Sequence, residues 1–131
     1  MDEADLAEES GLVVRMAPVG DDEHRSRRFH LDAPTRLRVT GLGEGVEGRL
    51  YDRGWIVEAA GGRTVWEMAW ANTVHGGGAH KNRLFQGEIT LPAGDYVAHY
   101  VSDGSHSFAG FNDDPPRRPL AWGLTVRRAE R

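Results

Sequence analysis

After residue 10 no ten-residue stretch of this chain keeps the apolar period of a helix. Short alternating runs recur instead between Gly-, Pro- and Asp-rich punctuation. "GLVVRMAPV" opens the series, and the charged turn "GDDEHRSRR" follows it. In "RFHLD" Phe29 and Leu31 fall on one face, and in "RLRVT" Leu37 and Val39 do the same. "GLGEGVEG" reads as glycine punctuation, after which "RLYD" and "GWIVEA" resume the strand pattern. "AGGR" then turns the chain into "TVWEMAW", where Thr64, Trp66 and Met68 share a face. "RLFQGEITL" and "YVAHYVS" flank the turn "PAGD", and "AWGLTVR" closes the series with Trp122, Leu124 and Val126 aligned. Eight or nine short strands of this kind predict an all-β fold. The expected form is an antiparallel β-sandwich, jelly-roll-like, rather than a parallel α/β sheet.

A chain of 131 residues is long enough for one domain with a sizeable core and needs no metal or disulfide staple. It has no cysteine, which removes disulfides, thiolate zinc sites and thiol catalysis together and is compatible with any compartment. No apolar run approaches the ~20 residues that cross a membrane as a helix, and no signal-peptide pattern opens the chain. The net charge of −4 is unevenly placed, because residues 1–10 carry five acids and no base. The 15 acids that remain face 16 Lys and Arg. Residues 1–10 therefore read as an acidic tail or linker, and residues 11–131 as a single, nearly neutral β-sandwich domain. Such a body offers nucleic acid no broad electrostatic footprint, and nothing in it predicts membrane insertion.

Two loops stand out against this regular scaffold. The longer, "SDGSHSFAGFNDDPP", crowds Asp103, Ser105, His106, Ser107, Asn112, Asp113 and Asp114 together, and Arg117, Arg118 and three prolines follow. Loops beyond roughly 12–15 residues tend to serve a function. Calcium takes six to eight oxygen ligands, so this loop could supply part of a calcium cage, although its spacing is not that of an EF-hand. Asx and Ser turns that brace the loop on its own backbone are the simpler explanation, with the prolines as a rigid strut. The second loop, "NTVHGGGAHKNR", spans residues 72–83 and offers Lys81, Asn82 and Arg83 as polar clamps beside three glycines. Its His75 and His80 stand one residue further apart than the paired zinc ligands of a helical His-x3-His motif. They would need His106 or an acid from the other loop to complete a metal site.

Elsewhere the chemistry is sparse. "GLGEG" lacks the context of a dinucleotide fingerprint or a phosphate loop. "LYDRGWI" sets Tyr51, Asp52, Arg53 and Trp55 together as a possible sugar grip, but a strand end with Trp55 buried is the plainer expectation. His99, between Val97 and Val101, is expected on a sheet face. There is no Gly-x-Ser-x-Gly elbow, and adjacent Ser105 and His106 do not make a triad. No catalytic residue is assigned.

The segment "GEITLPAGDYVAHYVSDGSHS", with "RLYD" upstream and "WGLTV" downstream, resembles the β-sandwich of bacterial pre-peptidase C-terminal domains. That resemblance implies an appended, extracytoplasmic or cell-surface module that helps binding or maturation. The two long loops depart from that pattern. "YDRGWI", "KNRLF", "SDGSHSF", "NDDPP" and "AWGL" are similar to a bacterial accessory module with no assigned activity.

The expectation is thus a non-catalytic accessory domain of a larger bacterial protein or assembly. It would recognise a protein partner or a glycan through loops 72–83 and 103–120, with Lys81, Arg83, Asp103, His106 and Asn112 lining one pocket over Trp122. A structural spacer or oligomerisation domain is one alternative, and a metal-dependent hydrolase using His75, His80 and His106 is another. The expected cofactor is none, with calcium the one to test.

Overall fold

In a computed structural model of the chain, which describes residues 11–104, 111 and 115–129, nine antiparallel strands form the fold. They are β1 (Leu12–Met16), β2 (His24–Leu31), β3 (Thr35–Val46), β4 (Arg49–Glu58), β5 (Thr64–Glu67), β6 (Val74–His75), β7 (Asn82–Leu91), β8 (Gly94–Val101) and β9 (Gly123–Arg128). One layer runs β1-β9-β3-β7-β6 and the other runs β2-β8-β4-β5. Strand β4 belongs to both. Its first residues pair with the end of β3, and from Arg53 onward it pairs with β8. The nine strands therefore form one antiparallel sheet folded into a near-barrel, consistent with the all-β, sandwich-like fold that the sequence pattern implied.

Alternation explains which side chains fill the interior. Leu37 and Val39 of β3, with Trp122, Leu124 and Val126 around β9, bury one face of the first layer. Phe29, Leu31, Ile56, Tyr96, Ala98 and Tyr100 come in from the second. Each fully buried aliphatic side chain contributes roughly 1.5–3 kcal/mol before entropy. Phe29 stacks on Tyr96 at 5.3 Å, and Trp66 meets Phe85 edge-on at 4.9 Å.

Three expectations are corrected by this arrangement. The charged run before Phe29 is strand rather than turn, because β2 begins at His24 and pairs with β8 along its whole length. Its Arg25, Arg27 and Arg28 lie on a strand that, among the described residues, pairs only with β8, where charge protects an open edge. Residues 41–46 do not punctuate either, since β3 runs straight through them. Trp55 is only half-buried, on the outer face of β4.

On the same outer surface His30 of β2 sits between two acids, with Nδ1 2.8 Å from Asp95 and Nε2 2.9 Å from Asp32. Those contacts, Asp95 first, raise its pKa above the ordinary imidazole value. An NMR titration should find His30 protonating at higher pH than a free histidine, and Asp95→Asn should lower that midpoint.

Candidate functional site

The end of the barrel where β3 passes to β4 gathers most of the chain's unusual chemistry. Glu44, two residues before the end of β3, stands opposite Asp52 of β4 on one side and Asn82 of β7 on the other. Asp52 lies just before β4 leaves β3 for β8. Its parity with Leu50, Gly54 and Ile56 turns it inward, where it is fully buried. Glu44 retains only 6% of its surface. Gly43 and Gly45 flank it, and a Cβ on either would overlap the backbone of β4. Small residues are therefore required for the two strands to approach this closely.

Asp103 reaches the same place from the end of β8. Its backbone N–H donates to Asp52 Oδ1 at 2.8 Å, and its carbonyl accepts the N–H of Asp22 at 2.9 Å. One carboxylate oxygen from each of Glu44, Asp52 and Asp103 lies within 4.8 Å of the others. Lys81 enters from the loop before β7, with Nζ 3.3 Å from Glu44 Oε2. The loop's own carbonyl at Lys81 accepts the N–H of Gly45, which fixes the lysine against β3. Tyr100, fully buried beneath, donates its hydroxyl to the Leu42 carbonyl at 2.6 Å.

Burial governs the electrostatics here. It pushes the Asp52 carboxyl up to about 8, against the Asp103 N–H, and the charges of Asp103 and Glu44 add to the rise. The Trp122 indole favours the charged form of Asp52, but not from a geometry that satisfies Oδ2. Glu44 is raised by burial and then by Asp103, with Lys81 opposing. Tyr100 is raised by burial and the three carboxylates. Glu44 Oε1 and Asp52 Oδ2 are buried without a hydrogen-bond partner among the described residues.

The two loops singled out in the sequence do meet. The N–H of Arg117 donates to the carbonyl of Gly76 at 3.0 Å, and a Cβ on Gly77 would collide with Arg117. Asn82 holds the first loop from within, as Nδ2 donates to the Gly77 carbonyl at 2.9 Å. A small groove of about 120 Å³ remains between the loops, lined by Leu42, Leu84, Gln86, Arg117, Arg118 and Ala121 among others.

The expected site residues are divided by this geometry. Lys81 and Asp103 converge on Glu44, and Trp122 underlies Asp52, buried rather than open as a pocket floor. Arg83 turns elsewhere. Its guanidinium covers the Trp70 ring at 3.7 Å and donates to the Thr73 carbonyl at 2.6 Å and to Thr73 Oγ1 at 3.0 Å. Burial lowers its pKa, which suits a clamp on the 3-10 turn Trp70–Asn72. His106 and Asn112, like most of the oxygen-rich run 105–114, lie outside the described residues.

The histidine pair joins no metal-ligating group among the described residues. His75 Nε2 sits 3.1 Å from the carbonyls of Gly78 and Ala79, and the two rings are 6.3 Å apart. The sugar-grip motif is split. Asp52 faces in, while Trp55 faces out with Arg53 over its ring at 4.6 Å and His99 stacked on it at 5.0 Å. His99 is a sheet-face histidine, as expected, with Nδ1 3.2 Å from Nε2 of His24.

Glu44 is the residue that sequence reasoning overlooked, and Asp52 stood out there only as part of the sugar-grip motif. The signal was the inward parity of Asp52 and a single acid enclosed by glycines in "GEG". No helix among the described residues is long and apolar enough to cross a membrane. No family model matches the chain, and neither a curated protein nor a solved structure matches it.

Proposed function

We propose that this domain is a non-catalytic binding module, an accessory part of a larger bacterial protein or assembly, which engages a protein partner where its two long loops meet. The backbone bond between Arg117 and Gly76 supports this reading, because it joins the two loops into one surface beside β3 and β7. The groove they enclose is apolar at Leu42, Leu84 and Ala121 and basic at Arg117 and Arg118. Val74 and Leu120, the most exposed large apolar side chains among the described residues, stand on those same two loops at 62% and 69% exposure. Apolar anchors beside arginine suit a protein surface that offers apolar and acidic groups.

The chemistry favours this over a glycan. Sugars stack on open aromatic faces, whereas Trp70 is covered by Arg83 and Trp55 by Arg53 and His99. A photo-crosslinking residue at Leu120 should therefore give discrete protein adducts in the source cells. The same residue at Gly62, in the turn at the far end of β4, should give none. Equal labelling at both positions, or none at position 120, would sink the proposal. Saccharide binding that is lost with Arg117→Ala would replace the protein partner with a glycan.

A further inference from the structure

We propose that Glu44, Asp52 and Asp103 form a site for a hard divalent cation, and that calcium is the cation it takes. The inference goes beyond the partner-binding reading and stands without it.

Three observations lead there. Oxygens on opposite sides of a calcium ion, each at roughly 2.4 Å, stand about 4.8 Å apart. The oxygens of Glu44, Asp52 and Asp103 all fall within 4.8 Å of one another, so one ion can touch all three. They come from three separate segments, β3, β4 and the exit from β8, so no local turn accounts for their meeting.

The second observation is independent of the clustering. Glu44 Oε1 and Asp52 Oδ2 are buried and have no hydrogen-bond partner among the described residues, and the two residues are only 6% and 0% exposed. Buried polar atoms in native proteins are nearly always satisfied, and an orphan of this kind marks an ion or a water. Lys81 meets Glu44 Oε2 but leaves Glu44 Oε1 and Asp52 Oδ2 unmet.

The third concerns the kind of ion. The ligating atoms are all carboxylate oxygens, with no imidazole or thiolate in the described cluster, which selects calcium, magnesium or manganese over zinc or copper. Magnesium demands a near-ideal octahedron, whereas calcium accepts irregular cages completed by water and carbonyls. A set of three strands and exits with differing reach fits the second better. Lys81 keeps a quarter of its side chain exposed, so its ammonium can swing out as the cation enters. With only three protein carboxylates, affinity should be modest, with Kd of roughly 10–1,000 µM.

The test uses the full chain, stripped with EDTA and then titrated with calcium chloride, magnesium chloride or zinc chloride. Millimolar calcium should raise the thermal midpoint by roughly 5 °C, more than magnesium does. Terbium should give emission sensitised by Trp122, which lies against Asp52, and calcium should quench it by displacement. Both responses should vanish in Asp52→Asn and Glu44→Gln, persist in the exposed control Glu88→Gln, and tighten several-fold in Lys81→Gln. Circular dichroism of Asp52→Asn keeps loss of binding distinct from loss of fold. A wild-type midpoint and terbium signal indifferent to calcium would overturn the site, as would responses that survive in a folded Asp52→Asn. A response to zinc alone would overturn the oxygen-only assignment.

Discussion

Asp52→Asn should raise the thermal midpoint of the metal-free protein near neutral pH, although it alters a fully buried residue. In the unfolded chain Asp52 ionises near ~4. In the folded protein, burial and then the charges of Asp103 and Glu44 hold it at about 8. Between those values the folded state keeps a proton that the unfolded state has shed. Stability is therefore greatest below about 4 and falls as pH rises, by roughly 1.4 kcal/mol per pH unit, until the folded carboxyl ionises near 8. The groups that face it act in both directions: Asp103 after β8 and Glu44 from β3 favour the neutral form by their charge, the Asp103 N–H and the Trp122 indole favour the charged form, and Lys81 tempers Glu44. The amide abolishes this titration. Its Oδ1 still accepts from the Asp103 N–H, and its neutral amide replaces a carboxyl that has a Glu44 oxygen within 4.8 Å. The gain should be about 1–4 kcal/mol between pH ~5 and ~7, the protonation cost that accumulates at roughly 1.4 kcal/mol per pH unit above the unfolded value. It should be small at pH 5 and grow toward pH 8. Urea unfolding of wild type and variant across that range measures it. A variant less stable than wild type at pH 8 would mean that the Asp52 carboxylate is ionised and well paired in the metal-free fold.

Most of the strand order was legible because period-two burial leaves a direct trace. Leu37 with Val39, Phe29 with Leu31, and Leu124 with Val126 all face the core as their alternation implied. The trace fails where packing rather than parity decides. Gly41, Gly43 and Gly45 look like turn residues, yet they extend β3 because Met68, Asp52 and Leu50 need the space a Cβ would occupy. The run His24–Arg28 looks like a turn because it lacks apolar residues, and an edge strand with few buried positions needs none. The site was half visible for the same reason. Lys81, Asp103 and Trp122 stood out by composition, but what joins them is the crossing of β4 between two layers. That crossing is a long-range pairing, and no local pattern encodes it. Glu44 and Asp52 therefore became a site only once β3 and β4 were laid side by side.

That strand contact also sets the largest expected loss. Gly43→Ala should cost about 3 kcal/mol, near the upper end for forcing extra atoms into a packed interior. A Cβ at position 43 would overlap the carbonyl oxygen of Asp52 and stand 3.2 Å from the Tyr100 hydroxyl. Backbone cannot swing aside as a flexible side chain can, so β3 and β4 would have to part. Gly48, in the turn between the same strands, separates crowding from backbone strain. It holds φ at +84° with nothing within 4 Å of a Cβ, so Gly48→Ala pays only the left-handed penalty of about 1–2 kcal/mol. For a domain of this size the first substitution should lower the midpoint by roughly 10 °C and the second by about half as much. Parting β3 from β4 also moves Glu44 away from Asp52, so Gly43→Ala should lose the calcium response at temperatures where it is still folded. Gly48→Ala should keep it. Equal losses of stability in the two variants would show that the strands are not held at this separation, and that the carboxylates meet for some other reason than the absence of a Cβ at position 43.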